Sequence, residues 1–356
     1  MPLIIDGGRV PSRWAEKKNS LTVGSAGPDR QSECVRIAFV NNMPDAALEE
    51  TEMQFFDLLD EASGGLPVLL KLHSLAGVPR GERGRQHVNN FYSSTDDLLD
   101  GRFDALIMTG TEPQQPNLRN EPYWSALADV LDWTETNTAS TILSCLAAHA
   151  GVLHSDGIER HPLADKQFGV FDFASVGRHE LNNGAAERVC FPHSRWNEVR
   201  ADALTASGYL VLTRSAEGGV DSFVKRKKRS LFVHFQGHPE YGAQTLLREY
   251  RRDVKRFLRR ERETYPSAPK NYFDAVATKL VIDFREVALS DRREDLMESF
   301  PEAALARTLQ KAWSAPATAI YRNWLRYVLL NKSEAPGFMA VASVHDNVQR
   351  KRSAVR

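Results

Sequence analysis

The stretch STILSCLAAHAGVLH, residues 140–154, reads as a short apolar strand, a sharp turn at Cys145 and then a helix of small residues. The same order recurs upstream. CVRIAFV (34–40) is a short run rich in β-branched residues that ends at the polar turn Asn41-Asn42-Met43-Pro44, and LEETEMQFFDLLDEA (48–62) places Leu48, Phe55, Leu58 and Leu59 at helical spacing. PVLLKLHSL (67–75) and FDALIMTG (103–110) read as further strands. YWSALADVLDWTETN (123–137) is an amphipathic helix with Trp124, Leu127, Val130 and Leu131 on one face. Strand, loop and helix alternating at short intervals predict an α/β fold, a largely parallel sheet flanked by helices. Ligands of such sheets bind beyond the carboxyl ends of the strands, which points to residues 41–44, residues 109–113 and Cys145.

Away from this core the texture changes. Residues 1–33 carry Gly, Pro, Ser and mixed charge without sustained periodicity and read as an N-terminal tail. GYLVLTRS (208–215) and SLFVHFQ (230–236) read as strands, and LLREYRRDVKRFLRRER (246–262) as a basic helix. The predicted organisation is a core over 34–273, an insertion over 274–312, a C-terminal helix over 313–335 packing on the core, and a polar basic tail over 336–356. No repeat and no low-complexity tract occurs.

Composition excludes several functions. The chain has 356 residues, 42% of them hydrophobic, and 46 basic residues balance 46 acidic ones. A neutral chain lacks the basic face that displaces counterions from nucleic acid, so no nucleic-acid partner is expected. No apolar run approaches the ~20 residues that span a bilayer, so no membrane partner is expected. The N-terminus lacks a basic stretch followed by an apolar core, and a signal peptide is not expected. Three cysteines, Cys34, Cys145 and Cys190, make no disulfide framework and fit a reducing cytoplasm.

Cys145 sits where a strand turns into a helix, at the sheet edge and near helix N–H groups that favour a thiolate. A buried structural cysteine is the commoner fate of such a residue. Gly237-His238-Pro239-Glu240 directly follows the strand SLFVHFQ. A cysteine nucleophile needs a base, and the base needs an orienting carboxylate; His238 and Glu240 supply both if their loop folds back toward Cys145. A surface histidine beside a proline is the plainer alternative. The histidines show no metal-ligand spacing, no nucleotide-binding glycine loop is present, and neither a metal nor a bound cofactor is expected. The basic helix, with eight Lys or Arg against three acidic residues, reads first as a solvated face.

The chain resembles the homoserine O-acyltransferase family. The matching blocks run in order through residues 35–330: Asn41-Asn42-Met43-Pro44, Glu50-Thr51-Glu52, His87-Val88-Asn89-Asn90-Phe91-Tyr92, Thr109-Gly110, Tyr123-Trp124, Cys145, Lys166, Pro192-His193-Ser194-Arg195, Gly237-His238-Pro239-Glu240-Tyr241, Arg252-Asp253, Asn271-Tyr272-Phe273 and Asn323-Trp324-Leu325. The resemblance implies a class I glutamine amidotransferase-like (flavodoxin-like) three-layer sandwich. It implies a cytoplasmic homodimer that moves a succinyl or acetyl group from acyl-CoA, its co-substrate, to L-homoserine in methionine biosynthesis. Cys145 then corresponds to the nucleophile, His238 to the general base and Glu240 to its partner. Lys166, Ser194 and Arg252 correspond to contacts with the amino-acid substrate. Thr111, Glu112, Pro113 and Gln114 form the loop that tunes the donor and, with the Leu146 N–H, surrounds the oxyanion.

Departures from the family pattern keep other readings open. Thr111-Glu112 stand in place of Ala-Pro, and Gln114 takes the donor-tuning position usually held by Gly or Glu. Asp45-Ala46-Ala47-Leu48 replaces a lysine-containing stretch, and Leu146 replaces a Trp. Transfer to another hydroxy amino acid such as serine, an amidotransferase-like hydrolase, and an inactive binding paralogue are the alternatives. Leu143 and Ala147, two residues either side of Cys145, stand where the hydrolases carry glycine.

Overall fold

The computed structural model describes residues 3–6, 11–18 and 34–332. Ten strands form one sheet: β1 (Leu3–Ile5), β2 (Val35–Val40), β3 (Val68–His73), β4 (Ala105–Met108), β5 (Ser140–Ser144), β6 (His161–Ser175), β7 (Arg188–Glu198), β8 (Leu210–Ser215), β9 (Gly219–Lys227) and β10 (Ser230–Phe235). The helices are α1 (Ser12–Lys18), α2 (Asp45–Ser63), α3 (Glu82–Phe91), α4 (Thr95–Leu99), α5 (Trp124–Asn137), α6 (Leu146–Asp156), α7 (Ala201–Ala206), α8 (Thr245–Leu258), α9 (Ala275–Ser290), α10 (Glu302–Thr308) and α11 (Ser314–Asn331).

The strand order is β1-β3-β2-β4-β5-β10-β9-β8-β6-β7. Neighbours from β1 through β10 run parallel, whereas β9, β8, β6 and β7 join antiparallel. The sheet is therefore mixed: the parallel part is the one read from sequence, and the antiparallel extension grows by hairpins that need no crossover helix.

Strands covered on both faces read as continuous apolar runs, which is the texture of β2, β4 and β5. Ile37, Phe39, Ile107 and Ile142 face one way and pack with Phe55, Phe56 and Leu59 of α2 and with Tyr321, Trp324 and Val328 of α11. Val40, Met108 and Leu143 face the other way and pack with Leu127 and Val130 of α5 and with Ala147 and Ala150 of α6. Helices on both faces make three layers.

Part of the region read as an N-terminal tail belongs to this body. Leu3 to Ile5 add an edge strand in register with Val68 to Leu70, and Trp14 of α1 is buried edge-on against Phe56. Residues 274–312 fold as α9, a 3-10 turn and α10, and Ala277, Val281, Phe284, Phe300 and Leu305 share the core of α2 and α11. The basic tail over 336–356 lies outside the described residues.

Candidate active site

Cys145 lies between the last residue of β5 and the first of α6. Its backbone has φ 53° and ψ −112°, a sparsely populated region for a residue with a side chain. The ladder holds it there: its N–H donates to Phe235 O at 2.7 Å, and its carbonyl accepts from Ala148 and His149 N–H at 3.0 and 3.3 Å. The small residues that follow let α6 sit close to the sheet; a Cβ on Gly151 would stand 2.4 Å from Leu143 Cδ1. The thiol is partly exposed, unlike that of Cys34.

β10 pairs in parallel with β5 so that Phe235 lies opposite Ser144. The loop after β10 therefore emerges beside Cys145, and the His238 ring lies within close electrostatic reach of the thiol. His238 Nδ1 lies 2.8 Å from Glu240 Oε1, which also accepts from Ser144 Oγ at 3.4 Å. The ring stacks on Tyr241 at 4.1 Å, and the His238 backbone N–H donates to Pro192 O at 2.8 Å. Burial opposes a charged His238, but the Cys145 thiolate and the Glu240 carboxylate together outweigh it and hold the imidazole well above its ordinary range. Gly237 is required: a Cβ there would stand 2.5 Å from His193 Nε2 and 2.6 Å from Asp221 Oδ1. Those two buried groups lie 3.2 Å apart behind the loop, and burial holds His193 down at about 4 despite the nearby carboxylate.

The loop after β4 closes the other side of Cys145. A Cβ on Gly110 would lie 2.9 Å from Leu146 N, so the glycine lets the loop backbone approach the amide that follows the thiol. Thr111 is half-buried there, whereas Glu112 and Gln114 are exposed. Pro113 has no N–H, so oxyanion donation from this loop falls to other amides. Buried Glu121 braces the loop: its Oε1 accepts from Gln114 and Gln115 N–H at 2.6 and 2.7 Å. A void of about 10 Å³, enough for about one water, lies between Gly110, Tyr123 and Leu146.

Lys166 and Ser194 meet on the far side of His238. A register shift in the β6–β7 hairpin between Pro162 and Gln167 directs Lys166 toward α8. Its Nζ lies 3.6 Å from Glu249 Oε2 and 3.5 Å from Asp253 Oδ2, and 4.1 Å above the Phe168 ring. Ser194 Oγ donates to Glu249 Oε2 at 2.5 Å, and Tyr241 OH donates to Glu249 Oε1 at 2.8 Å. Tyr241 thus joins this cluster to the His238 ring. Arg252 sits at the rim, its Nε 3.2 Å from Asp253 Oδ1, within the electrostatic reach of Glu249 and Glu112. Glu249 escaped the sequence reading, and Asp253 stood there beside Arg252 without a role. Their four-residue spacing on the basic helix places the two carboxylates on one face.

The matching blocks at Asn41, Glu52 and Tyr92 form scaffolding. Asn42 N–H donates to Thr109 Oγ1 at 2.8 Å, and Asn41 Nδ2 donates to Tyr92 OH at 3.0 Å. Buried Glu52 gathers His87 Nε2 and Tyr92 OH, each at 2.6 Å. Asp45, in the departed stretch, accepts the N–H of Gly81 at 2.8 Å and so ties α2 to the start of α3. Among the described residues no group of three or more His, Cys, Asp or Glu is placed to hold a metal ion, and no helix is long and apolar enough to cross a membrane.

A thiol at a strand-to-helix elbow, an imidazole within its reach and a carboxylate behind that imidazole form an arrangement suited to cysteine-dependent acyl transfer. Comparison with known proteins makes the class specific. A family model described as homoserine O-succinyltransferase matches residues 12–335, and the chain belongs to that family, a family of acyltransferases. A relative of that name from Methylorubrum extorquens is 45% identical over 305 residues, covering 86% of this chain and 90% of its own length. One from Rhodopseudomonas palustris is 45% identical over 300 residues, covering 84% and 90%. One from Bradyrhizobium japonicum is 42% identical over 333 residues, covering 92% and 99%. Among solved structures, a glutamine amidotransferase from Thermotoga maritima aligns with TM-score 0.46 at 10% identity, covering 83% of this chain and 98% of its own. A likeness that loose carries no argument about function.

Proposed function

We propose that the chain transfers an acyl group from acyl-CoA to the hydroxyl of L-homoserine through a thioester on Cys145. The observation that carries this reading is the neighbouring series Cys145, His238, Glu240 at the seam between β5 and β10, with His238 Nδ1 hydrogen-bonded to Glu240, in a chain matched to the family over nearly its whole length.

The Cys145 thiolate attacks the thioester carbonyl. The negative charge that develops on that oxygen is met by the Leu146 N–H and by amides of the loop after Gly110. The intermediate collapses, the carbon–sulfur bond to CoA breaks, and the departing thiolate takes the proton from His238. The acyl group now rests on Cys145. L-Homoserine enters, its carboxylate toward Arg252 and its ammonium toward Glu249, beside Lys166 and Ser194. His238, now neutral, takes the hydroxyl proton as that oxygen attacks the Cys145 thioester; the ester leaves, and Cys145 returns as a thiolate beside a protonated His238. Glu240 holds Nδ1–H throughout and stabilises each imidazolium. In this reading the enzyme works in the cytoplasm as a homodimer, within methionine biosynthesis.

The test is to mix the chain with succinyl-CoA or acetyl-CoA without acceptor and weigh the intact protein. A mass gain of one acyl group, absent in Cys145→Ser and discharged by L-homoserine, is expected. Transfer by Cys145→Ser at the wild-type rate would refute the reading.

A further inference from the structure

Two buried polar atoms near the His238 loop have no hydrogen-bond partner among the described residues. One is Oε2 of Glu240, whose other oxygen serves His238 Nδ1 and Ser144 Oγ. The second is the hydroxyl of Tyr321 on α11. Glu240 is 3% exposed and Tyr321 is fully buried. A buried carboxylate oxygen without a donor is costly, and so is a buried phenol O–H without an acceptor. Orphaned groups of this kind are rare in folded chains.

The packing of α11 brings the two together. This helix lies over the seam between β5 and β10, and two buried tryptophans pin it there. Trp324 Nε1 donates to Ser140 Oγ at 2.9 Å, at the start of β5. Trp313, the residue that caps α11, donates from Nε1 to Tyr241 O at 2.8 Å, in the loop that carries His238 and Glu240. The helix therefore runs from the carboxyl ends of the two strands back toward their amino ends. Tyr321 lies three residues before Trp324, on the same helix face and one turn nearer the site. Its ring stacks on Phe235 with centroids 6.1 Å apart and planes 19° from parallel. Phe235 in turn lies opposite Ser144, the residue that donates to Glu240 Oε1. Burial, joined by the Glu240 charge, keeps the Tyr321 hydroxyl protonated, so it remains a donor. The other groups around Glu240 are engaged. Ser144 and His238 meet Oε1, and the Tyr241 hydroxyl is given to Glu249 at 2.8 Å.

We propose that Tyr321 is a positioning residue for the reaction: its hydroxyl donates to Glu240 Oε2, directly or across one water, and so stabilises the carboxylate charge and keeps Oε1 aimed at His238 Nδ1. This rests on the acyl-transfer reading above and adds a fourth group to the series Cys145, His238, Glu240. The C-terminal helix then acts on the chemistry without touching substrate. The role separates activity from stability. If the phenol O–H served packing alone it would be a liability, and its removal would leave the fold as stable or more so with no loss of rate.

The experiment compares wild type with Tyr321→Phe, Glu240→Gln, the double variant and Trp324→Phe. Tyr321→Phe keeps the ring on Phe235 and removes only the hydroxyl. The readouts are the rate of Cys145 acylation by acyl-CoA without acceptor, the pH profile of Cys145 alkylation by iodoacetamide, and the urea midpoint. In Tyr321→Phe acylation near pH 7 is expected to slow about tenfold, and the alkylation profile to move to higher pH, with the urea midpoint unchanged or raised. In Glu240→Gln an amide NH2 takes the place of Oε2 and needs no donor, so adding Tyr321→Phe should cost less than about twofold more. Trp324→Phe, which loses the bond to Ser140, should lower the urea midpoint without moving the alkylation profile. A wild-type rate and profile in Tyr321→Phe would overturn the proposal. Equal losses from Tyr321→Phe with Glu240 and with Gln at that position would overturn it too. So would a profile shift in Trp324→Phe as large as that in Tyr321→Phe, since the docking of α11 would then be what matters. Alkylation needs no CoA thioester, so failure of wild type with every acyl-CoA would overturn acyl transfer and leave this proposal to be decided by the alkylation profile.

Discussion

Replacing Glu240 by glutamine isolates one charge. Glutamine has the same shape, and its carbonyl still accepts from His238 Nδ1–H, so the ring keeps its orientation while the negative charge 2.8 Å away disappears. Two unit charges about 4 Å apart interact by about 4 kcal/mol at an effective dielectric of about 20. Reorganisation of the buried site offsets part of that, leaving roughly 2 to 3 kcal/mol, or about two pKa units on the imidazole. A less favoured imidazolium is a weaker partner for a Cys145 thiolate and, in the proposed mechanism, changes the proton delivered to the departing CoA sulfur. The assay is the pH dependence of Cys145 alkylation by iodoacetamide, followed by the acylation rate with acyl-CoA alone. In Glu240→Gln the alkylation profile should move to higher pH, and acylation near pH 7 should slow by about two orders of magnitude. A shift below half a unit would refute the argument, because Glu240 would then orient the ring without contributing charge.

Three further outcomes follow from contacts already described. Glu249→Gln, which weakens the grip on Lys166 and Ser194, should raise the acceptor KM about tenfold; steady-state kinetics against homoserine concentration checks it, and a KM within twofold of wild type contradicts it. Gly237→Ala forces a Cβ against His193 and Asp221 and should destabilise the fold by about 1 to 3 kcal/mol, read from the urea midpoint. Burial leads the causes that hold four core histidines down: His73 and His193 at about 4, His149 and His234 at about 3. The unfolded chain takes up their protons first, so their contribution is intact above about pH 6.5 and is lost as pH falls toward 4, at about 2 kcal/mol each by pH 5. The melting temperature should drop between pH 7 and pH 5; a flat profile would show that these imidazoles are charged in the folded chain.

The parts legible in sequence were those where a single strand or helix declares itself. β2, β4, β5 and β10 are buried on both faces and read as apolar runs, and Cys145 and His238 follow two of them directly. β6 and β7 were not legible. Pro162, Gly169 and Asp172 interrupt any alternation in β6, and the hairpin is held by cross-strand pairing with a partner that sequence does not reveal. β1 is too short to announce itself and gains its place only by adding to the edge at β3. Apart from Arg252, the basic helix reads as a solvated face in sequence, yet Glu249 and Asp253 on it meet Lys166 and Ser194. The position of a carboxylate on a helix face is visible in sequence, but what that face meets is set by the β6–β7 hairpin.

The seam between β5 and β10 also governs when reactivity begins. The two strands are distant in the chain, and β10 leaves the ribosome well after the cysteine that ends β5. Until Phe235 settles opposite Ser144, Cys145 has no imidazole beside it and behaves as an unremarkable thiol. Under the acyl-transfer reading proposed above, the sulfur gains its base only after synthesis has passed β10, so the growing polypeptide presents electrophiles and oxidants with an unassisted thiol until then.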